Sequence, residues 1–339
     1  MILTPLDWSL IAAMLVVMLG GLWLSRGAMH GVADFLAAGR SAGRYVLSVA
    51  TGLAGLGAIT IVANLEMNYV AGFSMAWWEL SMRVVLMVMA VSGWVIYRFR
   101  ETRCLTLAEF FERRYSRRFR VFAGLLAWIS GIVNFGIFPS VGARFFIHFC
   151  GLPETALGLP TYAVTMFALI CLSLMFVYVG GQVVVIITDF IQGFFVNVVF
   201  LWLVLYLMTQ VSWDQIFAAL GSAPVDASLI NPFDAGNVPD FNLVFFLIGV
   251  AVVVYGPLSW QGTQGYNASA RDAHEAKMGA ALSMWRGFPQ NLALMFVPLV
   301  GYTVMHHADF IGLRTAVETS LAGAETGAIA SQLRVPLAL

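Results

Sequence analysis

The chain has 339 residues, 60% of them hydrophobic and 11% charged, and its 18 basic side chains balance 18 acidic ones. With a mean hydropathy of +0.85, that composition excludes an ordinary soluble globular domain and points to a membrane protein. Eight mostly apolar runs of about 18 residues or more, each enough to cross a core of about 30 Å, fall near 7–24, 45–70, 77–97, 121–149, 162–179, 185–209, 242–265 and 287–305. Runs of that length mean helices and not barrel strands.

In chain order, the first run has no Lys or Arg before it, is too long for a signal-peptide core and lacks a clear cleavage site. It is expected to remain as an anchor. The second run gathers Gly52, Gly55 and Gly57 at its middle and Thr60, Asn64 and Glu66 beyond. One glycine pair would suit close helix packing, but three glycines followed by polar groups predict a break. In the third run, Glu79 and Arg83 are an i,i+4 pair in the favourable order, suited either to a structural ion pair near the outer surface or to a solute. Cys104, Cys150 and Cys171 have no metal spacing and are expected to pack as small apolar residues. Arg144 is placed near a membrane edge, where it would snorkel.

The stretch "GGQVVVIITDFIQGFF" (180–195) puts Asp189 among Val, Ile and Phe. A charge at mid-membrane costs about 3 kcal/mol and faces protein or water. Gln182, Asp189, Gln192 and Gly193 fall on one helical face, so the acid either anchors neighbouring helices or serves a cation leaving the protein. In the seventh run, Tyr255, Gly256 and Pro257 predict a second break, followed by Trp260, Gln261, Thr263 and Gln264. Two broken helices five segments apart fit two five-helix halves of an inverted-repeat transporter, in which unwound carbonyls hold a cation. His306 and His307 lack metal spacing and are assigned to a loop. No nucleophile and base converge, so an enzyme is not expected.

Fourteen of the 18 Lys and Arg lie in alternate loops: Arg26, Arg40 and Arg44; eight arginines from Arg98 to Arg120; and Arg271, Lys277 and Arg286. The positive-inside rule makes those loops cytoplasmic and places the N-terminus outside, most simply in a plasma (inner) membrane. The basic block 98–120 is then assigned to topology and lipid headgroups and not to nucleic acid. Thr106 and Glu109 within it fit a capping box, with Phe110 and Phe111 at the interface. The sequon at Asn267 falls on the same inner side and is dismissed.

"DFLAAGRSAG" (34–43), "LTLAEFFERRYSRRFR" (105–120), "GGQVVVIITDFIQGFF" and "ARDAHEAK" (270–277) together resemble the sodium:solute symporter family, whose members have the leucine-transporter-type inverted-repeat fold. The resemblance spans almost all of the chain. It implies an all-α membrane protein with eight transmembrane helices of an incomplete five-plus-five fold and one extra N-terminal helix. As a single membrane domain, that divides into a peripheral helix and loop (1–44), a first repeat (45–209), an outer loop (210–241) and an incomplete second repeat (242–339).

By the same resemblance, sodium is the coupling ion, bound in part by the main-chain carbonyls of Leu53 and Leu56, with Asp189 beside its exit path. No organic cofactor and no other metal is implied. Solute contacts are implied at Thr60, Glu79, Asn134, Tyr255, Trp260, Gln261 and Gln264. Glu79 matches a sugar-contacting acid of sugar-transporting relatives, whereas "GPLSWQGTQGYN" departs from their usual pattern and puts a sugar in doubt. The partners implied are a small solute, sodium and membrane lipids. The sequence ends at "RVPLAL", before the later core helices of the family, so a C-terminally truncated chain, inactive alone, is expected. The alternative is a transporter-like sensor domain joined to a cytoplasmic signalling module.

Overall fold

A computed structural model describes residues 3–148, 150–156, 158–224, 226–236, 238, 243–259 and 261–324. Helix α1 (Pro5–Ser25) opens on a full capping box: Asp7 N–H donates to the Thr4 hydroxyl at 3.3 Å, and Thr4 N–H donates to the Asp7 carboxylate at 2.7 Å. Pro5 lies at the first position, where a missing N–H costs nothing. Then come α2 (Val32–Ala37), α3 (Arg44–Ala54), α4 (Ala58–Ser92), α5 (Ile96–Glu101), α6 (Leu107–Arg114), α7 (Arg117–His148) and α8 (Thr161–Gln210). After these run α9 (Trp213–Gly221), α10 (Leu243–Ser259), α11 (Gln264–Ser269), α12 (Ala273–Arg286), α13 (Phe288–His306) and α14 (Ile311–Ala324).

Among the described residues, five stretches are long and apolar enough to cross a membrane: Pro5–Ser25, Ala58–Glu101, Arg117–His148, Thr161–Gln210 and Ala273–His306. The eight apolar runs do not map one to one onto these. Non-helical glycines inside α4 (Gly72, φ 56°, ψ −142°) and α8 (Gly181, φ 51°, ψ −149°) kink helices that otherwise continue without a linker. The predicted break in the second run is present, leaving α3 with 11 residues, and α10 has 17.

The second predicted break is displaced. α10 continues through Tyr255, Gly256 and Pro257 to Ser259, and regular α-helix resumes at Gln264. Proline removes its own N–H bond and crowds the carbonyl four residues back, which can kink a helix without ending it. Thr106 caps α6 as expected, accepting from Glu109 N–H at 3.1 Å, but the Glu109 carboxylate reaches back to Leu105 N–H at 2.9 Å, one residue short of a full box. His306 belongs to the last turn of α13 and not to a loop. Its ring stacks on Tyr302, with centroids 3.9 Å apart, and Nδ1 lies 2.9 Å from the Tyr302 carbonyl.

The chain forms two compact units. The first comprises residues 1–60, 86–196 and 254–287. Its seam joins α3, α8, α11 and α12 through Leu47, Ala50, Ile186, Tyr266, Ala270 and Ala276. Small residues dominate it because, within lipid, helices gain by close van der Waals packing and not by leaving water. Polar ties hold the seam at one end. Ala42 N–H donates to the Ser269 carbonyl at 3.0 Å, Arg271 N–H to the Ala42 carbonyl at 2.9 Å, and buried Arg100 to the Ala270 carbonyl at 2.8 Å. Glu275 accepts from the Arg44 N–H at 2.6 Å and pairs with the Arg44 guanidinium, capping and neutralising the start of α3 together.

The second unit comprises residues 61–85, 197–253 and 288–339. Its core packs Val204, Ile216, Leu220 and Leu229 with Phe296 and Leu299. α9 is fixed there by Ser212 and Gln215, which form a reciprocal capping box.

Candidate functional site: a cavity at the broken helix

Between α3 and α4, Gly55, Leu56 and Gly57 leave helical geometry. Leu56 N–H turns back to the Leu53 carbonyl at 2.8 Å, and the Thr60 hydroxyl donates to the Gly55 carbonyl at 2.8 Å. A helix end leaves its last carbonyls and its first N–H groups without intrahelical partners. The interruption therefore presents the carbonyl end of α3, which favours a cation, beside the N–H end of α4, which favours an anionic group. Gly57, the N-cap of α4, has no side chain to occupy those donors.

A cavity of about 910 Å³ in the first unit opens on this interruption. Leu53, Ala54, Gly55, Leu56, Gly57 and Thr60 form one side; Asn134, Phe135, Phe138 and Pro139 of α7 form another; Ser173, Val185, Asp189 and Gln192 of α8, with Gly262 and Tyr266, complete it. Asp189 comes near the interruption because α8 and α3 almost touch one turn further on. A Cβ at Gly193 would lie 2.7 Å from the Val49 side chain and 3.7 Å from Leu53 Cβ. The Asp189 carboxylate accepts a hydrogen bond from the Tyr266 hydroxyl, and Tyr266 is itself buried in the seam. Within this partly apolar lining, one carboxylate, main-chain carbonyls, hydroxyls and side-chain amides offer oxygen ligands suited to a hard monovalent cation and a polar solute. Among the described residues, no cluster of three or more His, Cys, Asp or Glu could hold a metal ion.

Of the residues singled out in the sequence, Leu53, Leu56, Thr60, Asn134 and Asp189 meet at this cavity. Gln264 does not. It lines a separate cavity with Gln182 and Phe122, because residues two apart on a helix face nearly opposite ways, and it is Tyr266 that faces Asp189. Gln182 likewise parts from Asp189 and Gln192, although all three share the stripe on α8. Glu79 belongs to the second unit. Trp260, and the side chains of Tyr255 and Gln261, lie outside the described residues.

Sequence reasoning passed over Tyr266. Its signal was a phenol inside "QGTQGYN", in a chain with one acid deep in an apolar helix. Gln192 was visible on the stripe but was not carried into the site.

A family model for the sodium:solute symporter family, SSF, matches residues 35–325. No curated protein matches the chain. The match takes in the broken helix, the α7 and α8 walls of the cavity and the seam: the chain belongs to the sodium:solute symporter family, a family of sodium-coupled membrane transporters.

Proposed function

We propose that this protein carries a small polar solute together with sodium by alternating access, using the cavity at the broken helix. The observation that carries the proposal is the convergence of the α3 carbonyl end, Thr60, Asn134 and Asp189 on one cavity. Sodium is cargo here. It binds against the Leu53–Leu56 carbonyls, and Asp189, held by Tyr266, lies on its way out. The α4 N–H groups, Thr60 and Asn134 take the solute. Sodium bound at the broken helix favours the conformation that completes the solute pocket, so its gradient drives uptake. Each net charge crossing contributes about 2.3 kcal/mol per 100 mV.

In this reading the chain crosses the membrane eight times within a single membrane domain, the N-terminus lies outside, and the membrane is the plasma (inner) membrane. The crossings are α1, α3 with α4 up to Gly72, the rest of α4, α7, α8 before Gly181, α8 after it, α10 and α13. Glu79, Tyr255, Trp260, Gln261 and Gln264 remain proposed solute contacts by family resemblance alone.

The test is accumulation of labelled sugars, carboxylates and amino acids by vesicles holding the protein expressed from its complete gene, in sodium and with sodium replaced by potassium or choline. Uptake of one class should require sodium, and uptake unchanged by the replacement overturns the coupling. For Asp189→Asn at normal expression, the sodium half-saturation should rise about tenfold, the effect of roughly 1.4 kcal/mol of lost charge interaction. An unshifted curve leaves Asp189 with only its hydrogen bond to Tyr266.

A further inference from the structure

The second large cavity of the first unit, about 930 Å³, belongs to neither the broken helix nor Asp189. We propose that it is a binding site for one anionic phospholipid, with an acyl chain in the cavity and the headgroup on Arg117 and Arg118. The proposal rests on α7 crossing a membrane, and it does not require the transport mechanism.

Three independent observations support it. The first is the wall. Phe111 and Phe119 have ring centroids 5.2 Å apart and Phe119 and Phe122 6.0 Å apart, so an aromatic surface runs from α6 onto α7. It continues along the cavity to Leu126 and Trp128. Phe122 is 60% exposed and Trp128 64%, so the cavity is open along α7. Its volume is that of an ordinary small-molecule pocket, and an apolar chain is the matching content.

The second is the charge at its end. Arg113 is held by Glu109 at 2.6 Å, and Arg120 pairs with Glu112. Arg117 and Arg118, in the first turn of α7, are exposed and form no ion pair among the described residues. Arg118, Phe122 and Leu126 recur every four residues and share one helix face. The face that lines the cavity with Phe122 and Leu126 therefore ends, one turn earlier, in a free guanidinium. Apolar cavity, then cation, is the order of a phospholipid read from tail to headgroup. The third is polar. Gln182 lines the same cavity, and its Nε2 is buried with no hydrogen-bond partner. Buried donors are normally paired, and an acyl ester carbonyl below the headgroup would supply the acceptor.

The test uses the full chain in phosphatidylcholine bilayers carrying a small, equal fraction of brominated phosphatidylglycerol or brominated phosphatidylcholine. The Trp128 contribution is taken as the difference between the protein and its Trp128→Phe variant. Bromine on phosphatidylglycerol should quench it at least about fivefold more effectively per mole, since each arginine near a membrane surface contributes about 1 kcal/mol. Arg117→Gln/Arg118→Gln should abolish the preference, and Arg117→Lys/Arg118→Lys should retain it. Both pairs are exposed, so folding is preserved. Equal quenching by the two lipids, or a preference untouched by the glutamine pair, overturns the site. Loss of the preference to inorganic phosphate at constant ionic strength also overturns it, since the occupant would then be a free anion.

Discussion

Gly72 in α4 and Gly181 in α8 adopt nearly the same backbone, φ 56°, ψ −142° against φ 51°, ψ −149°, and each interrupts a long apolar helix without a linker. Both lie in a region of backbone space open essentially to glycine alone. What closes around them differs. At Gly72 an added Cβ would lie 2.6 Å from the Leu229 carbonyl oxygen and 2.8 Å from Leu229 Cβ, and Leu229 is part of the buried core of the second unit. At Gly181 it would meet Phe35 at 2.8 Å from Cα and 2.9 Å from its carbonyl oxygen. Phe35 stands 37% exposed on the six-residue α2. One backbone solution thus serves two kinks, one locked into a core and the other closed by a peripheral helix.

That contrast sets an order. Gly72→Ala should be the most damaging, at about 4 kcal/mol, combining strain at a glycine-only conformation with overpacking against a core residue that cannot yield. Gly181→Ala keeps the strain, but α2 can shift outward, so about 2 kcal/mol is expected. Thermal midpoints of the detergent-purified variants, followed by loss of the monodisperse peak, measure both. If Gly181→Ala melts lower than Gly72→Ala, peripheral α2 is held as firmly as the core and the contrast fails.

The same two positions show how far the fold could be read in the sequence. Gly180 and Gly181 stood out as the paired start of "GGQVVVIITDFIQGFF", whereas Gly72, between Ala71 and Phe73, passed as one small residue in an apolar run. A positive φ leaves no trace in hydropathy. What makes Gly72 necessary is Leu229, more than 150 positions away, and no local pattern contains that. The first break was legible because Gly52, Gly55 and Gly57 are followed by polar groups. The second was misplaced because proline was given the role of an interruption, whereas among the described residues regular α-helix gives way to a 3-10 turn at Gln261–Thr263.

In the site, Asp189 was legible as a charge out of place, and Thr60 and Asn134 came from the family resemblance. Gln264 lines the second cavity and not this one, because nearness in sequence to the break does not fix a side chain's direction on α11. Tyr266 needed the fold itself, since only the packing of α11 on α8 brings its hydroxyl to Asp189.

The smallest expected effect tests what holds the Gly72 kink besides packing. Ser74, two residues on and fully buried, donates its N–H to the Leu229 carbonyl at 3.2 Å and its hydroxyl to the Ser228 carbonyl at 2.7 Å. The main-chain bond survives Ser74→Ala, but the Ser228 carbonyl loses its hydroxyl donor. The expected cost is about 1 kcal/mol, the usual value for one buried hydrogen bond. If those bonds hold segment 228–229 against the kink, Ser74→Ala should also soften the penalty of Gly72→Ala, because a loosened Leu229 can move away from the new methyl group. The double variant should then lose less stability than the sum of the two single losses, as coupled neighbours can. Paired with Gly181→Ala, Ser74→Ala should be strictly additive. Additivity at both glycines would mean that Leu229 is fixed by the hydrophobic core alone and that the serine contributes only its own hydrogen bond.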